Sequence, residues 1–197
     1  MPTSAATDSV ASGVEAGGAV LDIDWSGALD GPWDPSLDDD GLERFTQAFG
    51  SFGEDPFIAP IPGRTHILAV KRDADETAPL FAENWHSDWS FLDAPPSATV
   101  LHGRVIPPVG GDTLFANQYA AYDALPDATK ARIEDMQAWH SAARGYAPEG
   151  MYGDKDVGRS MSIRPSVEAR KRRAQPMVKT HPETGRKALF VNPGYTC

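Results

Sequence analysis

Glycine and proline recur so closely along this chain that no regular element in it can be long. Pro56, Pro60, Pro62 and Gly63 punctuate one stretch, Pro95-Pro96 a second, and Pro107-Pro108 with Gly110-Gly111 a third. Proline lacks the amide hydrogen that a ladder needs, and glycine supplies turn dihedrals, so each group ends whatever precedes it. Between these stops lie short apolar runs, predicted as strands at 19–25, 66–70, 84–91, 99–106 and 113–116. Two more are predicted at 177–180 and 188–191, joined by a turn at 181–185, and 139–142 also fits a strand. Helices are predicted after an Asp39 or Asp40 cap, with Leu42, Phe45 and Phe49 on one face and Gly50 as the stop. Two others cover 118–125 and, started by Pro126, 127–138. Residues 144–160, with four glycines and Pro148, read as a long loop. The expected class is β-rich with helices, a barrel or jelly roll.

At 197 residues the chain suits one domain, expected over 19–197 behind a small, polar, mobile leader at 1–18. A net charge of −10 opposes nucleic-acid and anionic-membrane partners, both of which need a basic footprint. The one basic run, 170–173, reads as a solvated helix face. Cys197 is the single cysteine, so no intrachain disulfide can form, which suits a reducing cytoplasm. No apolar run approaches membrane-spanning length, and the N-terminus has no secretion-signal pattern.

The chemically suggestive stretch is Asn84-Trp85-His86-Ser87-Asp88-Trp89-Ser90-Phe91. In an extended strand, residues i and i+2 share a face, so His86 and Asp88 are expected to project together with Asn84. An imidazole and a carboxylate side by side are two of the three ligands of a 2-His-1-carboxylate iron site. The same three-residue pattern also occurs as a plain hydrogen-bonded pair. A third ligand from the described spacing alone would be His140 or His181; His66 and His102 read as hydrogen-bonded or surface histidines. A zinc hydrolase using His86, Asp88 and His140 is a weaker reading. Gly110-Gly111-Asp112-Thr113 lacks the Lys of a phosphate loop and reads as a hairpin turn, with the Thr113 hydroxyl available to an anion.

Taken together, several ordered blocks resemble the taurine dioxygenase family. They are 84–88, Phe91, Pro95-Pro96, Pro107, 110–116, 119–125, 180–186 and 189–192, and the likeness runs from about residue 42 to residue 195. The resemblance implies a double-stranded β-helix (jelly-roll) fold and an Fe(II)- and 2-oxoglutarate-dependent dioxygenase. It implies that His86 and Asp88 bind iron and that Thr113 binds the distal carboxylate of 2-oxoglutarate. Asn84 and Phe190 would then lie near a small organic substrate, with O2 as the other reactant and a homo-oligomer open. Family members carry a second iron-binding His and a 2-oxoglutarate-binding Arg well after the 189–192 block. This chain ends five residues after Asn192, so both residues and the last strands are expected to be missing from it, leaving the β-helix incomplete at the C-terminus. Ala59 and Pro62 stand where taurine-cleaving members have a His and a Tyr, so taurine is not the expected substrate; a sulfonate or sulfate ester remains open. The competing expectation is a non-catalytic, truncated fold acting as a binding or oligomerising module.

Overall fold

A computed structural model describes residues 37–197; the leader and first strand expected at 1–25 lie outside them. Helix α1 (Asp39–Gln47) starts one or two residues earlier than expected from an Asp39 or Asp40 cap. Asp38 is the cap, and its Oδ1 accepts from the Gly41 amide at 2.7 Å. Gly50, with φ +147°, follows the helix, as its stop signal required. The 118–125 helix forms as α2 (Gln118–Asp123), capped by the Asn117 side chain. The third helix is shorter than its pattern: α3 (Asp127–Ile133) stops, and after residues 134–136 strand β1 (Gln137–Ser141) begins. The expected helix over 127–138 thus overran, because its last residues are taken by pairing with a later strand.

That partner is β2 (Arg172–Pro176), antiparallel to β1 with Trp139 opposite Ala174. A second hairpin pairs β3 (Val178–Thr180) with β4 (Lys187–Leu189), Lys179 opposite Ala188, and its turn closes with the Gly185 amide on the His181 carbonyl. Between β1 and β2, a short helix, α4 (Ala143–Tyr146), takes the start of the loop expected at 144–160, and a 3-10 turn over Val167–Arg170 follows beyond it. The basic run is therefore not a helix face. Arg170 ends the 3-10 turn, Arg172 and Arg173 open β2, and Arg170, Lys171 and Arg173 pair with Glu149, Glu168 and Asp93.

Two apolar clusters hold these elements. The larger buries Phe57, Ile58, Phe91, Tyr146, Tyr152, Met161 and Tyr195, drawing aromatic rings from segments far apart in sequence. The smaller joins Tyr122 of α2, Ile133 of α3 and Val178 of β3. Four predicted strands do not form among the described residues. Residues 66–70 contribute one isolated bridge, Leu68 to Pro60, and 84–91 run into a turn. Residues 99–106 and 113–116 are irregular. Gly110 and Gly111 adopt left-handed φ (+79° and +78°), but the hairpin expected around them does not form among the described residues. The flanking apolar side chains find no sheet, and Val105, Val109 and Phe115 are about nine-tenths exposed. A strand exists only where a partner satisfies its backbone groups, and 99–106 and 113–116 find none among the described residues.

Candidate metal centre

Residues 84–91 place the candidate ligands differently from a strand. Trp89 adopts a left-handed φ of +44°, unusual for a residue with a Cβ, and the chain turns there. The Ser90 amide reaches the Ser87 carbonyl at 3.3 Å and the Leu92 amide reaches that of Trp89 at 2.9 Å. His86 and Asp88 still meet, because the turn folds Asp88 back toward the ring: Nε2 lies 3.2 Å from Oδ1. His86 Nδ1 donates to the Asn84 carbonyl at 2.7 Å. Thr99 Oγ1 donates to Asp88 Oδ2, also at 2.7 Å. Each member of the pair is thus held from behind by a group that leaves the facing atoms available, the usual way a ligating His and carboxylate are oriented.

The electrostatics follow. The hydrogen bond to Asp88, aided by the Asn84 carbonyl, raises the His86 pKa against the opposing cost of burial. The same bond, with that from Thr99, holds the Asp88 carboxyl below its ordinary range. The bond thus favours a charged ring beside a charged carboxylate, and Nε2 would have to give up its proton to bind a metal.

A turn near the end of the chain supports the pair. The Gly194 amide donates to the Trp85 carbonyl at 3.1 Å, and a Cβ on Gly194 would stand 2.9 Å from that of His86, so only glycine fits there. Asn192 organises this turn: Oδ1 accepts from the Tyr195 amide at 2.8 Å and Nδ2 donates to Ser90 Oγ at 3.2 Å. Tyr195 lies edge-on to both His86 and Phe91, with ring centroids 5.9 and 4.8 Å away. Sequence reasoning missed Ser90, Asn192, Gly194 and Tyr195 as supports; Asn192-Pro193-Gly194 was the available signal, as a turn tripeptide.

His140 and His181 do not join the pair. His140 is completely buried, its Nδ1 2.8 Å from Ser90 Oγ and its Nε2 3.4 Å from Thr196 Oγ1. Burial, with the Lys179 charge, holds it below its ordinary pKa. His181 spends Nδ1 on the Glu183 and Thr184 amides of its own turn. Among the described residues no three His, Cys, Asp or Glu side chains gather to hold a metal ion, so the zinc triad of His86, Asp88 and His140 and the His181 alternative are both set aside. Thr113 stands on the exposed stretch after the glycine pair and makes no hydrogen bond to His86 or Asp88. Asn84 is exposed and enters the site through its carbonyl. Phe190, just after β4, stacks on His140 with centroids 5.7 Å apart and planes 10° from parallel.

Residues 29–197 match the family described as taurine catabolism dioxygenase TauD, TfdA family. The chain is 33% identical over 156 residues to an alkylsulfatase of Acinetobacter baylyi, covering 79% of this chain and 47% of that protein. It is 30% identical over 154 residues to an alpha-ketoglutarate-dependent sulfate ester dioxygenase of Pseudomonas putida, covering 78% and 49%. A solved structure from Burkholderia xenovorans, described as that of a candidate alpha-ketoglutarate dependent 2,4-D dioxygenase, is 28% identical with a TM-score of 0.50, over 81% of this chain and 52% of that one. The chain spans about half the length of the curated relatives it matches. With the family matched over most of its residues and the His86-x-Asp88 pair formed, the chain belongs to the TauD/TfdA family.

Proposed function

We propose that this chain supplies the His86 and Asp88 half of the site of an Fe(II)- and 2-oxoglutarate-dependent dioxygenase on a double-stranded β-helix that a longer protein completes. The observation that carries the reading is the pair itself: Nε2 and Oδ1 at 3.2 Å, each braced on its far side by the Asn84 carbonyl or the Thr99 hydroxyl. Imidazole with a hard carboxylate suits Fe(II), and two donors leave coordination positions for a bidentate 2-oxo acid and O2. Iron, when bound, supplies the O2 activation that couples decarboxylation of 2-oxoglutarate, to succinate and CO2, with hydroxylation of the substrate. The chain's own residues hold and orient. His86 keeps its Nδ1 proton on the Asn84 carbonyl, so Nε2 is the nitrogen offered to the metal. Asp88 offers Oδ1, and Thr113 takes the distal carboxylate of 2-oxoglutarate. Asn84 and Phe190 border the substrate. Relatives named for sulfate esters support a small organic sulfate as substrate. Hydroxylation of its ester-bearing carbon gives a product that collapses to a carbonyl compound and releases sulfate.

The test is succinate release by the full-length protein, dependent on Fe(II) and 2-oxoglutarate, and its loss in His86→Ala and in Asp88→Ala. Undiminished turnover in either variant refutes the assignment. A second reading, a non-catalytic binding module, is favoured by the lack of a third metal donor among the described residues. Full-length protein that folds yet binds neither iron nor 2-oxoglutarate selects it.

A further inference from the structure

Among the described residues, four Lys or Arg side chains besides Lys179 are partly buried: Arg64, Lys130, Arg159 and Arg173. Each of the four has a carboxylate, on Asp40, Asp127, Asp156 and Asp93 in turn. Lys179 has none, and its N–H groups reach no hydrogen-bond acceptor among those residues, although the chain has an excess of acidic over basic groups. Its Nζ lies 3.5 Å from the centroid of the Phe190 ring, which the ring's negative face accommodates. A ring satisfies one side of an ammonium; the other donors stay open. Burial also holds the ammonium below the usual lysine value, as expected of a cation without a counter-ion. The position is not remote. Phe190 stacks on His140, His140 contacts Ser90, and Ser90 lies two residues past Asp88.

We infer that Lys179 binds the anionic group of the substrate, a sulfate, sulfonate or carboxylate, with Phe190 packing the adjoining apolar part. The inference rests on the reading above that Phe190 borders the substrate, and its test does not depend on turnover. Metal-free full-length protein is titrated calorimetrically with hexyl sulfate and with hexanol as probes. The expected result is tighter binding of hexyl sulfate than of hexanol. Lys179→Met should weaken hexyl sulfate binding about ten- to a hundredfold, the worth of one charge-assisted hydrogen bond, and leave hexanol unchanged. Lys179→Arg should retain most of the affinity, and Lys155→Met, at an exposed lysine, should retain all of it. Equal hexyl sulfate affinity in wild type and Lys179→Met overturns the inference even if the enzyme turns over. A loss confined to 2-oxoglutarate affinity overturns it too, by assigning the lysine to the co-substrate. Absence of succinate formation with the sulfate preference intact removes the catalytic reading and leaves this one standing.

Discussion

Two histidines touch the short segment 86–90, and they could hardly differ more. His86 keeps a quarter of its side chain exposed and presents Nε2 to Asp88. His140 is completely buried, with both ring nitrogens facing hydroxyls and its ring stacked on Phe190. Their pKa values move in opposite directions for that reason: a carboxylate favours the charged ring, burial the neutral one. Of two residues of the same type, one is available for chemistry and the other is part of the packing.

The largest expected effect falls on the packed histidine. His140→Ala removes a buried ring and strands Ser90 Oγ, so it should cost about 3 kcal/mol in denaturant unfolding. His86→Ala should cost less than about 1 kcal/mol, since its pair with Asp88 is partly solvated. Equal losses would erase the distinction. Next is divalent-metal affinity, measured by Co(II) titration. His86→Ala and Asp88→Asn should each lower it tenfold or more, and His140→Gln should leave it near wild type. A loss in His140→Gln comparable to that in His86→Ala would return His140 to the ligand set.

A smaller effect comes from the backbone behind the pair. Gly194→Ala puts a Cβ 2.9 Å from that of His86 and 3.3 Å from the Trp85 carbonyl. It should cost about 1–2 kcal/mol by overpacking and weaken metal binding with it. Wild-type stability together with unchanged metal affinity would show that the turn does not brace His86.

The smallest effect is in pH. His86 has a raised folded pKa, so its contribution is complete below the ordinary 6.5 and is lost as pH rises through the folded value. Asp88 has a lowered one, so its share is present above 3.8 and is lost as pH falls through the folded value. The pair therefore stabilises most between those limits. His140 runs the other way: with a lowered folded pKa, its contribution is complete above 6.5 and is lost as pH falls below it. Stability differences between wild type and His86→Gln, and between wild type and His140→Gln, should slope oppositely from pH 5 to 8, each by less than about 1 kcal/mol in metal-free protein. Parallel slopes would contradict the two environments.

Much of the local fold was legible. Gly185 closes the β3–β4 turn as expected and Gly110-Gly111 takes left-handed dihedrals, whereas the α1 cap falls on Asp38 instead of Asp39 or Asp40 and the Asn117 cap was not anticipated. The strands at 99–106 and 113–116 were not correctly read, since alternating apolar residues describe a face and a face needs a partner. Leu101, Val105, Ile106, Leu114 and Phe115 remain exposed in the described structure, whereas Val178 finds both β4 and Tyr122. The 127–138 helix failed for the complementary reason: 137–141 are claimed by Arg172–Pro176, whose influence no local window contains.

What the sequence determined by itself is the chemistry available at 86 and 88. An imidazole and a carboxylate two residues apart are close enough to meet whether the backbone between them is extended or turned, so the pairing survived a wrong expectation about the strand. Tertiary structure decided the rest. Which histidine keeps a nitrogen facing outward, which glycine must stay bare behind it, and which lysine is left without a carboxylate all depend on segments from distant parts of the chain. Burial and counter-ion pairing are properties of neighbours in space, and spacing along the sequence does not specify those neighbours.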